Sequence, residues 1–146
     1  MFINNLTGKP FEETTILLEV GVPTSISGKT YLLDQSLRSA IKALDGKKVF
    51  MSYGNPRAGT NALDASRTCG EISNIRLVES RQNRGFAVII GDVKPHGPFG
   101  VHLRDMMAGN MEAHYSMHAL IKPRNTAESA TYSIGEIINW NMIPAK

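Results

Sequence analysis

The apolar residues of this chain fall in short runs, and their spacing predicts the elements. Over residues 14–22 they alternate. Ile16, Leu18, Val20 and Val22 share one face and Leu17 and Glu19 the other, as in a half-buried strand. Residues 23–29 read as a Ser/Gly loop. Leu33, Leu37, Ala40, Ile41 and Leu44 then recur at the helical period, with Asp34 placed as N-cap and Gly46 as the stop. Residues 48–53 form a short strand running into the loop Gly54-Asn-Pro-Arg-Ala-Gly-Thr-Asn61. Two strands, 71–80 and 84–93, follow around a polar turn at 81–84. Phe99, Leu103, Met106 and Met107 mark one side of a second helix, which Gly109 ends. Strands at 114–121 and 132–142, around a loop at 122–130, complete the chain. About six strands and two helices, in the order β, α, then mainly β, predict an α+β fold built on a small, mainly antiparallel and partly closed β-barrel. Residues 1–13 read as a polar arm before a single domain of residues 14–146.

Composition narrows the class. With 146 residues and 42% hydrophobic positions, the chain can bury a core as one domain, and it is too apolar for a disordered chain. The single cysteine, Cys69, excludes an internal disulfide framework and fits a reducing compartment. The longest apolar run is the five residues Phe86-Ala-Val-Ile-Ile90, too short for a membrane helix, and the N-terminus has no signal-peptide pattern. The 16 basic and 13 acidic residues are scattered, with no phosphate-binding stripe, so no specific nucleic-acid partner is expected.

Local chemistry is sparse. His114-Tyr-Ser-Met-His118 has two histidines at the spacing of a zinc-binding helix, but without the accompanying glutamate. On a strand they stand about 13 Å apart, too far to share an ion. Ser116 lies between them, and either imidazole is an awkward nearly 7 Å reach along the strand. His96 or His102 would have to be brought to it by the fold. Cys69 reads as a small apolar filler. The glycine-rich segments 54–59 and 97–100 match neither a phosphate loop nor a dinucleotide fingerprint, and no metal or cofactor is expected.

The order of the segments resembles the tailed-phage prohead (head maturation) proteases, relatives of the herpesvirus assemblins. Five blocks over residues 14–144 carry the resemblance. Leu17-Leu-Glu-Val-Gly-Val22, Ser27-Gly-Lys-Thr-Tyr31 and the helix at 37–44 are similar to the family's first strand, polar turn and first helix. Tyr53-Gly-Asn-Pro-Arg57, followed by Asp64 and a strand, is similar to the Gly-x-x-x-His-Pro loop that carries the catalytic histidine. The strand at 85–93, ending in a turn with Gly97 and Gly100, and the helix at 101–108 follow in the family's order. Tyr115-Ser-Met-His118 resembles the Ser-Ser-Arg or Ser-Met-Arg strand of the nucleophile, and the segment 134–143 with Pro144 resembles the last strand, which typically ends Asp-x-Val-x-x-Pro.

The resemblance places Ser116 at the nucleophile position. Asn55 then stands where the family has its histidine, Asn139 where it has an acidic third residue, and His118 where an arginine usually follows the serine. An amide is essentially non-basic and cannot take a proton from a hydroxyl near neutral pH. The resemblance therefore implies a phage head protein with a prohead-protease-like fold that has lost peptidase activity. It would act as a structural, decoration or assembly component in the virion, or in the host cytoplasm during assembly. Its partners would be the major capsid protein, other head proteins or further copies of itself. The alternative is an active serine endopeptidase that trims scaffold and capsid proteins, with another histidine as base.

Overall fold

The computed structural model describes residues 12–24, 28–54, 65–109, 111–124 and 131–144. Most of the predicted arm and most of the loop after residue 54, with Asn55, Pro56, Arg57 and Asp64, lie outside them. The strands are β1 (Glu13–Val20), β2 (Thr30–Tyr31), β3 (Val49–Tyr53), β4 (Thr68–Glu79), β5 (Ala87–Pro95), β6 (Ala113–Pro123) and β7 (Thr131–Pro144). The helices are α1 (Gln35–Lys42) and α2 (Gly100–Met107), with a 3-10 turn at Ala65–Arg67. The seven strands form one curled sheet in the order β1-β5-β4-β3-β7-β2, with β6 on the other edge of β7. Among the described residues β1 pairs only with β5 and β6 only with β7, so the curl is a half-barrel. The α+β class and the two helices are as expected; β2–β7 and β3–β7 are parallel pairs within a mainly antiparallel sheet.

β1 departs from its predicted alternation. A bulge between Ile16 and Leu18 breaks the register against β5. Leu17 and Leu18 therefore both face the core side, while Ile16 turns outward and is 56% exposed. In α1 the expected cap is present. The Asp34 carboxylate accepts from the backbone N–H of Leu37 at 2.9 Å and from the Ser133 hydroxyl at 2.6 Å, which ties the helix start to β7. The helix is shorter than its apolar stripe. Leu37, Ala40 and Ile41 are buried, Leu33 and Leu44 pack from outside its ends, and Gly46 (φ +71°) closes the turn beyond.

Inside the curl lies one apolar core, with Trp140, Leu37, Met51, Ile72, Ile89, Leu103, Ile134 and Met142 essentially sealed from water. Cys69 is part of it, and burial pushes its thiol up to about 12. A disulfide-exchange reagent at pH 8 is expected to leave this thiol intact in the native protein and to titrate it fully after unfolding in guanidinium. Prompt reaction without denaturant would mean that the core opens locally at Cys69.

Candidate functional site

β6 carries the predicted nucleophile, and its alternation sorts the side chains. Tyr115 and Met117 pack against the core, and burial raises the Tyr115 phenol, so it stays neutral. His114, Ser116 and His118 project to the opposite face. β7 alternates likewise, with Trp140 and Met142 in the core and Asn139 and Asn141 between them on the face of Ser116. The register places Ser116 opposite Asn141 and His118 opposite Asn139. On the other edge of β7, Ser52 of β3 aligns with Asn141. One sheet face thus gathers Ser52, Asn139, Asn141, Ser116 and His118 across three adjacent strands.

The sequence-predicted residues Ser116 and Asn139 are neighbours on this face. Asn139 is 1% exposed, and its side chain bridges the other two strands. Its Nδ2 donates to Ser52 Oγ at 3.2 Å and to the Trp140 carbonyl at 3.1 Å. With both donors placed, its Oδ1 faces His118 Nδ1 at 3.2 Å and accepts from it. In the neutral ring that arrangement corresponds to the Nδ1–H tautomer. Asn141 is 3% exposed beside Ser116. Among the described residues the Ser116 hydroxyl has no hydrogen-bond partner.

The other histidines are engaged elsewhere. His102 of α2 stacks on Tyr53 (4.5 Å between ring centres) and on Phe99 (5.5 Å), in a three-ring cluster packed against the core. His96, just beyond the end of β5, stacks on Phe50 of β3 at 5.8 Å and faces Glu71 of β4 at 3.8 Å, and β7 separates both of those strands from β6. The Lys48 ammonium, hydrogen-bonded to Glu71 at 2.9 Å, holds that carboxyl below its usual range. His114 and His118 lie on a strand rather than a helix, and among the described residues no three His, Cys, Asp or Glu side chains are placed to hold a metal ion. No helix of the described residues is long and apolar enough to cross a membrane.

The loop after β3 leaves at Gly54, whose N–H donates to the Met142 carbonyl at 2.8 Å. It returns at Arg67, whose Nε donates to the Tyr53 carbonyl at 2.8 Å. Both ends are therefore anchored at the top of β3, one strand removed from β6. Sequence reasoning missed Ser52 and Asn141. The available signal was the pattern Asn139-Trp140-Asn141, two amides at period 2 around a large aromatic, which on a strand puts both on the face opposite the ring.

A curled, mainly antiparallel sheet with two helices, in this order of elements, defines a prohead-protease-like class of protein. Residues 50–146 match the Peptidase S80 family, and the chain belongs to it. Among solved structures, the fold is similar to that of the bacteriophage T4 capsid assembly protease, gp21 (TM-score 0.58, 14% identity, covering 97% of this chain and 84% of that one). A comparison with curated proteins finds no match.

Proposed function

We propose that this protein is a phage head component that keeps the prohead-protease fold without cleaving peptides. It would serve as a structural, decoration or assembly element on the major capsid protein or other head proteins, in the virion and in the host cytoplasm during assembly. The observation that carries this reading is the direction of the His118 ring. Its Nδ1 is held across the β6–β7 pair by Asn139 at 3.2 Å. Ser116 lies along the strand instead, two residues or roughly 6.6 Å away. A general base must stand about 2.6–3.2 Å from the hydroxyl it activates. The family's histidine position holds Asn55, an amide with no basic lone pair near neutral pH.

One observation favours the opposite reading, an active serine endopeptidase. Asn139 holds His118 through Nδ1 and leaves Nε2 as the outward nitrogen, which is how an orienting residue positions a base. A fluorophosphonate probe separates the two. The inactive reading expects no Ser116 adduct by peptide mass spectrometry, and intact capsid and scaffold proteins after incubation with the purified chain. An adduct that disappears in Ser116→Ala, with serine-dependent fragments, would establish the peptidase. Many intact copies on mature heads would support the structural role.

A further inference from the structure

The outer face of β1, β5 and β4 carries an apolar patch that none of the described residues seals, and at its β1 edge Ile16 and Glu19 line a pocket with His114 and Tyr115 of β6. Pairing places Ile16, Ile90 and Arg76 in one row across the three strands, and Glu19, Val88 and Val78 in the next. On β5 the inward positions Ala87, Ile89 and Val93 are fully buried, so Val88 and Ile90 point outward. Ile16 is 56% and Val78 45% exposed, at opposite corners of the patch. The β1 bulge turns Ile16 outward, and a second register shift, between Ser73 and Arg76, sets Arg76 and Val78 outward on β4. Four contiguous apolar side chains on a water-facing sheet, two of them placed there by irregularities in pairing, call for a covering partner.

The charges around the patch indicate which partner. Glu19 and Arg76 occupy the two remaining corners, diagonally opposed, with one charge of each sign. Among the described residues Glu19 has no ion-pair partner. Arg76 donates to the Asn74 carbonyl at 2.8 Å and stands 3.9 Å from Asp92, which leaves its guanidinium open to a further acceptor. A twofold axis lying in the face along the Ile16–Val78 diagonal brings each Glu19 onto the Arg76 of the other copy. It also sets Ile16 on Ile16 and Val78 on Val78. The two sheets then cross steeply, one of the two stable arrangements for sheets packed face to face. The patch is complementary to itself, as an isologous contact requires. We infer that this face binds a second copy of the same chain, forming a dimer. The inference stands independently of whether Ser116 is active.

Sedimentation equilibrium of the full chain tests it. The wild type is expected to be half-dimeric at or below about 50 µM. Ile16→Asp, at an exposed position, should keep the melting temperature and circular dichroism of the wild type while weakening dimerisation by about 100-fold or more. Ile16→Ser serves as the milder version if the aspartate perturbs β1. Glu19→Arg and Arg76→Glu should each weaken the dimer by about 10-fold, and the double exchange should return it to within about threefold of wild type. A chain that stays monomeric up to about 500 µM overturns the inference. A dimer indifferent to Ile16→Asp, or two weakening exchanges that do not restore each other, overturns it as well.

Discussion

Replacing Trp140 by alanine is expected to remove about 3–5 kcal/mol of folding stability, the largest loss from any single side chain in this fold. The indole is fully buried on β7 and fills the centre of the curl. Its Nε1–H donates to the Leu17 carbonyl at 3.2 Å, which joins the last strand to the first. Leu17 is the residue left out of the ladder by the β1 bulge, so Trp140 satisfies a carbonyl that the bulge withdraws from strand pairing. The alanine variant opens a cavity and orphans that carbonyl together. Trp140→Phe keeps most of the volume and loses only the N–H, and should cost about 1–3 kcal/mol. Urea unfolding monitored by far-ultraviolet circular dichroism measures both. If the two variants were equally destabilised, the hydrogen bond rather than the packed ring would be the dominant contribution.

The bulge also shows where sequence reading reaches its limit. α1 was legible because its signals are local. The period from Leu37 to Ile41 and the Asp34 side chain bonding Leu37 N–H lie within a few residues of each other. β1 was legible as a strand, but its facing was not, because a bulge belongs to the pairing with β5 and leaves no mark on the alternation of β1 alone. β2 is two residues long and exists through its pairing with Thr131 and Tyr132 of β7, a contact with a partner a hundred residues away in the chain. The start of β4 was missed for a different reason. Gly70 is a weak strand former that sets Thr68 and Cys69 apart from the strand pattern after it, and the place for a small residue is set by the Leu103 side chain that a Cβ at Gly70 would meet. For the site, the shared face of Ser116 and His118 followed from period 2. The bond from His118 to Asn139 depends on the β6–β7 register, which no spacing along one strand encodes.

Restoring the imidazole at position 55 is expected to have the largest functional effect. If Ser116 is silent because an amide occupies the base position, Asn55→His supplies a group with a lone pair near neutral pH. A positioned general base contributes about 10²–10⁴-fold. The rate of fluorophosphonate labelling at Ser116 should therefore rise from background by at least about 100-fold, with the gain growing above the pH at which the new imidazole loses its proton. Ser116→Ala in the same background should abolish it. Asn139→Asp is a weaker companion. It keeps an acceptor for the His118 N–H, but it sets a buried carboxylate against the Trp140 carbonyl in place of the amide N–H that now donates to it. Its expected outcome is lower stability with little labelling of its own. A folded Asn55→His protein that remains unlabelled would separate position 55 from Ser116, and an unreactive Ser116 would then have to be traced to the Ser52–Asn139–His118 chain of hydrogen bonds, whose disruption by Asn139→Leu should release the His118 ring from β7.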